Sequence, residues 1–367
     1  MVQPEVRTGH PYYMYEAVHQ QPEAVAAMLE RHAAQAGEVA RHLAGKRRLF
    51  LVGIGTSWHA ALTGEHWFRQ LAGIQPEAQA WHSFEFVAYP PPALGPDDAV
   101  IIISHRGTKT YSFEALDVAK ERGALTIAIS STDPGPRLGP ADIKFQTVAQ
   151  EKSAAFTVSY TAALAVMAQI AIELGLLGGL NAAKGARGEL ERVPSLMQGV
   201  LDRQQEVAVL AERHQDRDRY LFTGWGPNAA QALEVSLKIK ETSFSSTEGF
   251  QVEQLLHGPF IATPSNSLLT LIAPPGPGYR RSVEIARAAS EIGAPVWALV
   301  QEGDEELASL VNEVTALPAV DEIWSPFLYV LPLQLLTYYL ALAKGCQPDR
   351  FRRDDPAFAA AHSHYVL

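Results

Sequence analysis

Two glutamates and a lysine at helical spacing are the first residues in this chain able to do chemistry. Glu234, Lys238 and Glu241 stand four and three residues apart, so a helix carries all three on one face. Val235, Leu237 and Ile239 between them keep no single helical stripe, which predicts burial on more than one side. Carboxylates and an ammonium in that setting are costly unless paired or used. A loop is expected to follow, bringing Glu248, Glu253 and His257 in the stretch that ends at Pro259. Such a set can move protons: a carboxylate takes one from carbon beside a carbonyl, and a lysine steadies the oxyanion that forms. The same residues also read as a Glu234–Lys238 ion pair on a solvated helix face, with Glu253 an ordinary loop carboxylate. The rest of the chain weighs between these readings.

The 367 residues are enough for two domains, and at 47% hydrophobic and 19% charged the chain reads as globular with a sizeable core. A net charge of −10 without a basic block argues against nucleic acid as a partner. The single cysteine, Cys346, excludes a disulfide framework and fits a reducing cytoplasm. The N-terminus lacks the basic-then-apolar pattern of a signal peptide. The longest apolar stretch, Phe327–Ala343, contains Pro332 and Gln334 and is shorter than the roughly 20 residues of a membrane span, so a buried core helix is expected and no membrane.

The elements that must position the chemistry come in an alternating strand–helix series. A helical arm is predicted over Met14–Leu43. A strand at Arg48–Gly53 then runs into Gly55, Thr56 and Ser57 and a helix near His59. A strand, a tight glycine turn and a helix start present N–H groups and hydroxyls to an anion. Trp58 stands where G-x-G-x-x-G needs its third glycine, which disfavours a dinucleotide, and no cofactor is expected. A second strand, Ala99–Ser104, ends in Ser104, His105, Arg106 and Lys109 before the helix Ser112–Arg122, with cations where a phosphate would sit. Strands Leu125–Ile129 and Ile143–Thr147 and a helix Ser159–Leu174 follow, then a glycine- and alanine-rich link, Gly175–Arg187, and a helix Glu189–His214. The alternation predicts parallel sheets with helices on both faces and ligands at the carboxyl ends of the strands.

The second half repeats the first. Tyr220–Asn228 echoes Leu49–Ser57; Gly53 and Gly224 are 171 positions apart, and Gly123 and Gly293 are 170 apart. A tandem duplication is expected. The second strand-end loop, Ala273–Gly278, has no hydroxyls or cations, so only the first half keeps a phosphate cradle. His362 and His364 lie two apart in the tail without a carboxylate at ligand spacing, so no metal site is expected. His59 and His66 read as packing residues.

From about residue 14 to 345 the chain resembles the double-SIS (sugar isomerase) family, and within it the isomerase part of glucosamine-6-phosphate synthases. The residues that carry the resemblance are Gly55–Ser57, Trp67–Phe68 with Leu71–Ile74, Leu237–Glu241, His257–Pro259 and Val330–Leu335. It implies an α/β fold of two tandem SIS domains, each a flavodoxin-like three-layer sandwich. The expected division is an arm over 1–47, a phosphosugar-binding domain over 48–188, a second domain with the catalytic helix and histidine loop over 189–345, and a tail over the active site from 346 to 367.

The resemblance also assigns roles. Ser57 and Ser104 match serines of the sugar-phosphate loops. His105, Arg106 and Lys109 replace a glutamine, a serine and a threonine of the second loop and keep its anion-binding character. Thr157 matches a threonine of the sugar-contacting loop. Glu241 matches the base that carries a proton between C1 and C2, Lys238 a lysine that stabilises the enediol oxyanion, and His257 the ring-opening histidine supplied by the neighbouring subunit, which implies a homodimer. His362 stands where the family's tail has a lysine able to form a Schiff base, so imine chemistry through the tail is not expected. Ammonia from glutamine is not expected either, because no amidotransferase segment precedes residue 14. The expected activity is a phosphosugar isomerase acting on a hexose or amino-sugar 6-phosphate. Deamination of an amino-sugar phosphate, deglycation of a fructosamine 6-phosphate and a non-catalytic sugar-phosphate sensor are the alternatives.

Overall fold

The continuous apolar runs become central strands. In the computed structural model, which describes residues 5–365, five strands make the first sheet: β1 Arg48–Gly53, β2 Glu77–His82, β3 Asp98–Ile103, β4 Leu125–Ser130 and β5 Ile143–Gln146. All neighbours are parallel and the order is β2-β1-β3-β4-β5. Every residue of β3 is buried, as expected of a strand covered on both faces. The buried first residue, Asp98, anchors its amino end. Its carboxylate accepts from Arg48 Nε at 3.0 Å and Nη2 at 2.7 Å and from the Gly95 N–H at 3.1 Å.

The second sheet repeats the plan with β6 Arg219–Gly224, β7 Thr247–Gln251, β8 Ser267–Ala273, β9 Val296–Gln301 and β10 Glu313–Leu317, again all parallel, in the order β10-β9-β8-β6-β7. From β7 inward this is the order of the first sheet, so the duplication read from glycine spacing extends to topology. In each sheet the chain reverses direction across the sheet between the first and third strands, which opens a crevice at their carboxyl ends.

The chain divides into two units around these sheets. One holds Gln20–Glu151, Phe156–Arg192 and the described residues from Arg352 on; the other holds the described residues up to His19, Lys152–Ala155 and Val193–Phe351. The helical arm is therefore not one helix. It breaks into Tyr13–His19 and Gln21–Leu43, because Pro22 has no N–H to continue the ladder and starts a new helix instead. The first piece is held in the β6–β10 unit, where Asp349 accepts from the Tyr13 and Met14 N–H groups at 2.9 Å each. The second piece lies in the β1–β5 unit and covers the sheet edge. Gln35 Nε2 donates to the Lys144 carbonyl at 3.0 Å, His32 Nε2 to Gln146 at 2.9 Å and Arg31 to Thr147 at 3.2 Å. The helix expected over Glu189–His214 is also two, Ala186–Leu201 and Gln204–His214. Arg203 makes the turn between them and donates to the Ala316 carbonyl at 2.8 Å.

Two helices, Val158–Leu177 and the one reaching Ala343, are long and apolar enough to cross a membrane, yet 83% of each apolar window is buried within the protein. For Phe327–Ala343 this matches the expected core helix, which starts at Ser325.

Candidate functional site

At the carboxyl end of β1 the chain turns at once into a helix, Thr56–Trp67. The turn needs its glycines. A Cβ on Gly53 would stand 2.4 Å from the Ser57 carbonyl, and Gly55 takes φ +57°, a left-handed conformation that disfavours a side chain. Ser104, almost fully buried, closes β3 alongside, and Lys109 precedes the helix Thr110–Glu121. Between these loops lies a narrow recess lined by Thr56, Ser57, His105, Ser130, Thr147 and Ser159 with Phe156 as an apolar wall. The structure thus gathers Thr56, Ser57 and His105 of the sequence-predicted residues around one hollow.

Glu151 organises the far wall. Its buried carboxylate accepts from the Thr157 N–H at 3.0 Å, the Ser159 N–H at 2.9 Å and the Ser159 hydroxyl at 2.5 Å, which caps the start of the Val158–Leu177 helix. Thr157 is held by this carboxylate through its N–H, while Phe156 and Ser159 face the recess. Sequence reasoning missed Glu151, although it precedes two hydroxyl residues at a helix start.

His105 is 8% exposed, and its Nε2 accepts from the Glu151 N–H at 3.0 Å. The proton of the neutral ring therefore sits on Nδ1, and that atom is buried without a hydrogen-bond partner in the protein. Burial, then the charge of Arg106, push the imidazole pKa down to about 3, so the ring is neutral throughout the physiological range. Arg106 lies over the Phe156 ring at 4.9 Å and donates to the Glu151 carbonyl at 3.3 Å. Burial and then the nearby Arg353 hold its guanidinium below its usual value.

The tail residue His362 ends a short helix, Pro356–His362, and pairs with the Tyr365 hydroxyl at 2.6 Å. The last two tail positions, Val366 and Leu367, lie outside the described residues.

In the β6–β10 unit the expected acid–base set sits on the helix Asn228–Thr242. Side-chain exposure falls from 19% at Glu241 to 2% at Lys238 and none at Glu234. The Lys238 ammonium donates to the Glu241 carboxylate and stands 3.8 Å from Glu234. A solvated surface pair is therefore ruled out. Lys238 is held between a wholly buried carboxylate and one that reaches the surface. The expected loop after this helix contains the edge strand β7. Its Gly249 lets it lie against the helix, since a Cβ there would stand 2.2 Å from the Ala232 carbonyl. His257 follows the short helix Val252–Leu256, with Nδ1 2.8 Å from the Glu253 carbonyl and a side chain 74% exposed. Glu253 is taken by Arg281 at 2.5 Å.

The crevice of the second sheet is built on the same turn. A Cβ on Gly224 would stand 2.7 Å from the Asn228 carbonyl, as Gly53 stands to Ser57. Its contents differ. Buried Trp225 packs on Gly278, where a Cβ would come within 2.2 Å of the indole, and Glu322 packs on Gly276, where a Cβ would lie 2.8 Å from the carboxylate. Asn228, the counterpart of Ser57, donates to the Ser325 hydroxyl at 2.7 Å.

Comparison with known proteins agrees with this architecture. Residues 42–173 and 215–344 each match the SIS domain. Glutamine–fructose-6-phosphate aminotransferases from Thermococcus kodakarensis and Gloeobacter violaceus are 30% identical over 350 and 358 residues, covering 94% of this chain and 58% of theirs. The chain thus spans little more than half the length of these relatives. Among solved structures, the C-terminal domain of the glucosamine-fructose-6-phosphate aminotransferase from Francisella tularensis superimposes with a TM-score of 0.84 at 23% identity, covering 93% of this chain and 99% of that one. The tagatose-6-phosphate ketose/aldose isomerase from Escherichia coli gives 0.76 at 18% identity, covering 95% and 97%. The glucosamine-6-phosphate deaminase from Thermotoga maritima gives 0.73 at 20% identity, covering 92% and 97%.

Proposed function

The chain belongs to the SIS domain family, and on that premise we propose that it is a phosphosugar isomerase-type enzyme. The hydroxyl-lined recess at the end of β1 takes the phosphate of a hexose or amino-sugar 6-phosphate. Glu241 removes the proton from C2 of the open aldose, or C1 of the ketose, and returns it to the neighbouring carbon; no electrons leave the substrate. Lys238 supplies positive charge to the enediolate oxygen. His257 moves the proton that opens the sugar ring, acting on a substrate bound by a second copy of the chain, and its 74% exposure supports that role. Phosphate binding remote from the reacting carbons supplies affinity that the reacting carbons need not provide.

The observation that carries this reading is the buried Glu234–Lys238–Glu241 row. Lys238 donates to Glu241 and stands 3.8 Å from the wholly buried Glu234, so two carboxylates share one ammonium. Glu241 is then a second carboxylate on the same ammonium with access to solvent, an arrangement suited to proton exchange. A sugar-phosphate sensor would need no such residue. The relatives' names, an isomerizing aminotransferase of fructose 6-phosphate, a ketose/aldose isomerase of tagatose 6-phosphate and a deaminase of glucosamine 6-phosphate, all refer to hexose 6-phosphates, which supports this substrate class.

The test is NMR in deuterated water with glucose 6-phosphate, fructose 6-phosphate, glucosamine 6-phosphate and a fructosamine 6-phosphate, with ammonia and free amine monitored. Deuterium entering C1 or C2 is expected, slowed about 10²–10⁴-fold in Glu241→Gln. Absence of exchange from all four substrates, or full exchange in the variant, would sink the assignment. Released ammonia or amine would identify deamination or deglycation on the same base.

A further inference from the structure

The β1-end recess has more donors than one phosphate uses. Its hydroxyls and the start of the Thr56–Trp67 helix suffice for the oxygens of a phosphate monoester. Three groups remain beside them. The His105 Nδ1–H is buried and unpartnered, a state that costs on the order of 1–3 kcal/mol unless something accepts from it. The Arg106 guanidinium is half-buried against Phe156 and forms no ion pair among the described residues. The acid that acts on it, Glu151, already accepts from Thr157 and Ser159. Arg353, exposed at the start of the tail, stands near enough to repel Arg106. Two like charges beside a buried donor without a protein partner, their one acting acid already accepting from Thr157 and Ser159, are an anion-binding arrangement.

We propose that the substrate carries a second anionic group, a phosphate or a carboxylate, which the Arg106 and Arg353 guanidiniums bind beside the first phosphate with the His105 Nδ1–H donating to it. This rests on the phosphosugar reading above and narrows it to doubly anionic sugars. The neutral His105 is a fixed donor there, since its Nε2 is held as an acceptor by the Glu151 N–H.

Calorimetric titration of the full chain at constant ionic strength tests this with three probes: fructose 6-phosphate, fructose 1,6-bisphosphate and 6-phosphogluconate. One of the two doubly anionic probes is expected to bind at least about tenfold tighter than the monophosphate, the gain of one charge-assisted contact. Which one does so tells phosphate from carboxylate. In Arg353→Gln that preference should fall to within about threefold, while Lys144→Gln, which removes an exposed charge that does not line the recess, should keep it. Because Arg353 is exposed, its replacement does not threaten folding. Equal affinity for all three probes, or a preference that survives Arg353→Gln, would overturn the proposal and leave the monophosphate reading standing. Binding of none of the three would overturn both.

Discussion

The crevices at the ends of β1 and β6 share a backbone and differ in what fills them. Gly53 and Gly224 make the same turn against the residue four places on, Ser57 in one copy and Asn228 in the other. In the first copy hydroxyls face a hollow. In the second, Trp225 and Glu322 press on Gly278 and Gly276, and Asn228 is tied to Ser325. A duplicated fold can keep its architecture in both halves while the side chains at the two turns diverge. The second half also holds the buried Glu234–Lys238–Glu241 row.

Breaking that row should show the largest effect. Lys238→Ala leaves Glu234 buried without its cation and should cost about 3–5 kcal/mol, read as a lower urea midpoint. A loss below 1 kcal/mol would mean that Glu234 has other adequate partners.

The paired substitutions Ser57→Ala and Asn228→Ala sharpen the contrast between crevices. Ser57→Ala should weaken glucose 6-phosphate binding about tenfold with little change in stability. Asn228→Ala should leave affinity alone and cost roughly 1–2 kcal/mol of stability, because it removes a buried hydrogen bond. Titration of the wild type should give one sugar phosphate per chain; two would show that the second crevice still binds.

Smaller effects follow from titration. His105 has a folded pKa near 3, well below the unfolded value, so the unfolded chain binds more protons between about pH 3 and 6.5. Stability from this group is complete above the unfolded pKa and falls as the solution is acidified through that window. His105→Gln should flatten that part of the acid limb in urea titrations run from pH 7 to 4. Glu322 behaves in the opposite sense. Burial raises its folded pKa, so the native state holds the proton longer, and stability declines as pH rises from the unfolded pKa through the folded one. Glu322→Gln should therefore match or exceed the wild type at pH 7, by less than about 1 kcal/mol.

The sequence showed most clearly what is buried on both sides. β1, β3, β4 and β6 are apolar runs that end in or run into a glycine or hydroxyl residue, and the duplication extended that reading to β8. β2, β7 and β10 were not seen, and each is a sheet edge whose residues, such as Glu77–His82 and Thr247–Gln251, show no continuous apolar run. Among the candidate residues, Glu241, Lys238, Ser57 and His105 were named from spacing and resemblance. Glu151 and Arg353 were not, because their importance comes from tertiary neighbours: one gathers donors from a helix start, the other repels a guanidinium hundreds of residues earlier. The second strand-end loop was read as lacking hydroxyls, but that a tryptophan and a glutamate pack there could be read only from the contacts at Gly276 and Gly278.

The side chains of the Gln21–Leu43 helix that reach the β5 carbonyls have a consequence for how this protein behaves when crowded. An open parallel sheet leaves an outer strand whose backbone acceptors can template a foreign strand and begin an aggregate. Along β5 those acceptors are already taken, at Lys144 by Gln35, at Gln146 by His32 and at Thr147 by Arg31. A strand arriving from another chain finds those acceptors occupied. The helix that covers this flank thus blunts one edge of the first sheet against edge-to-edge addition.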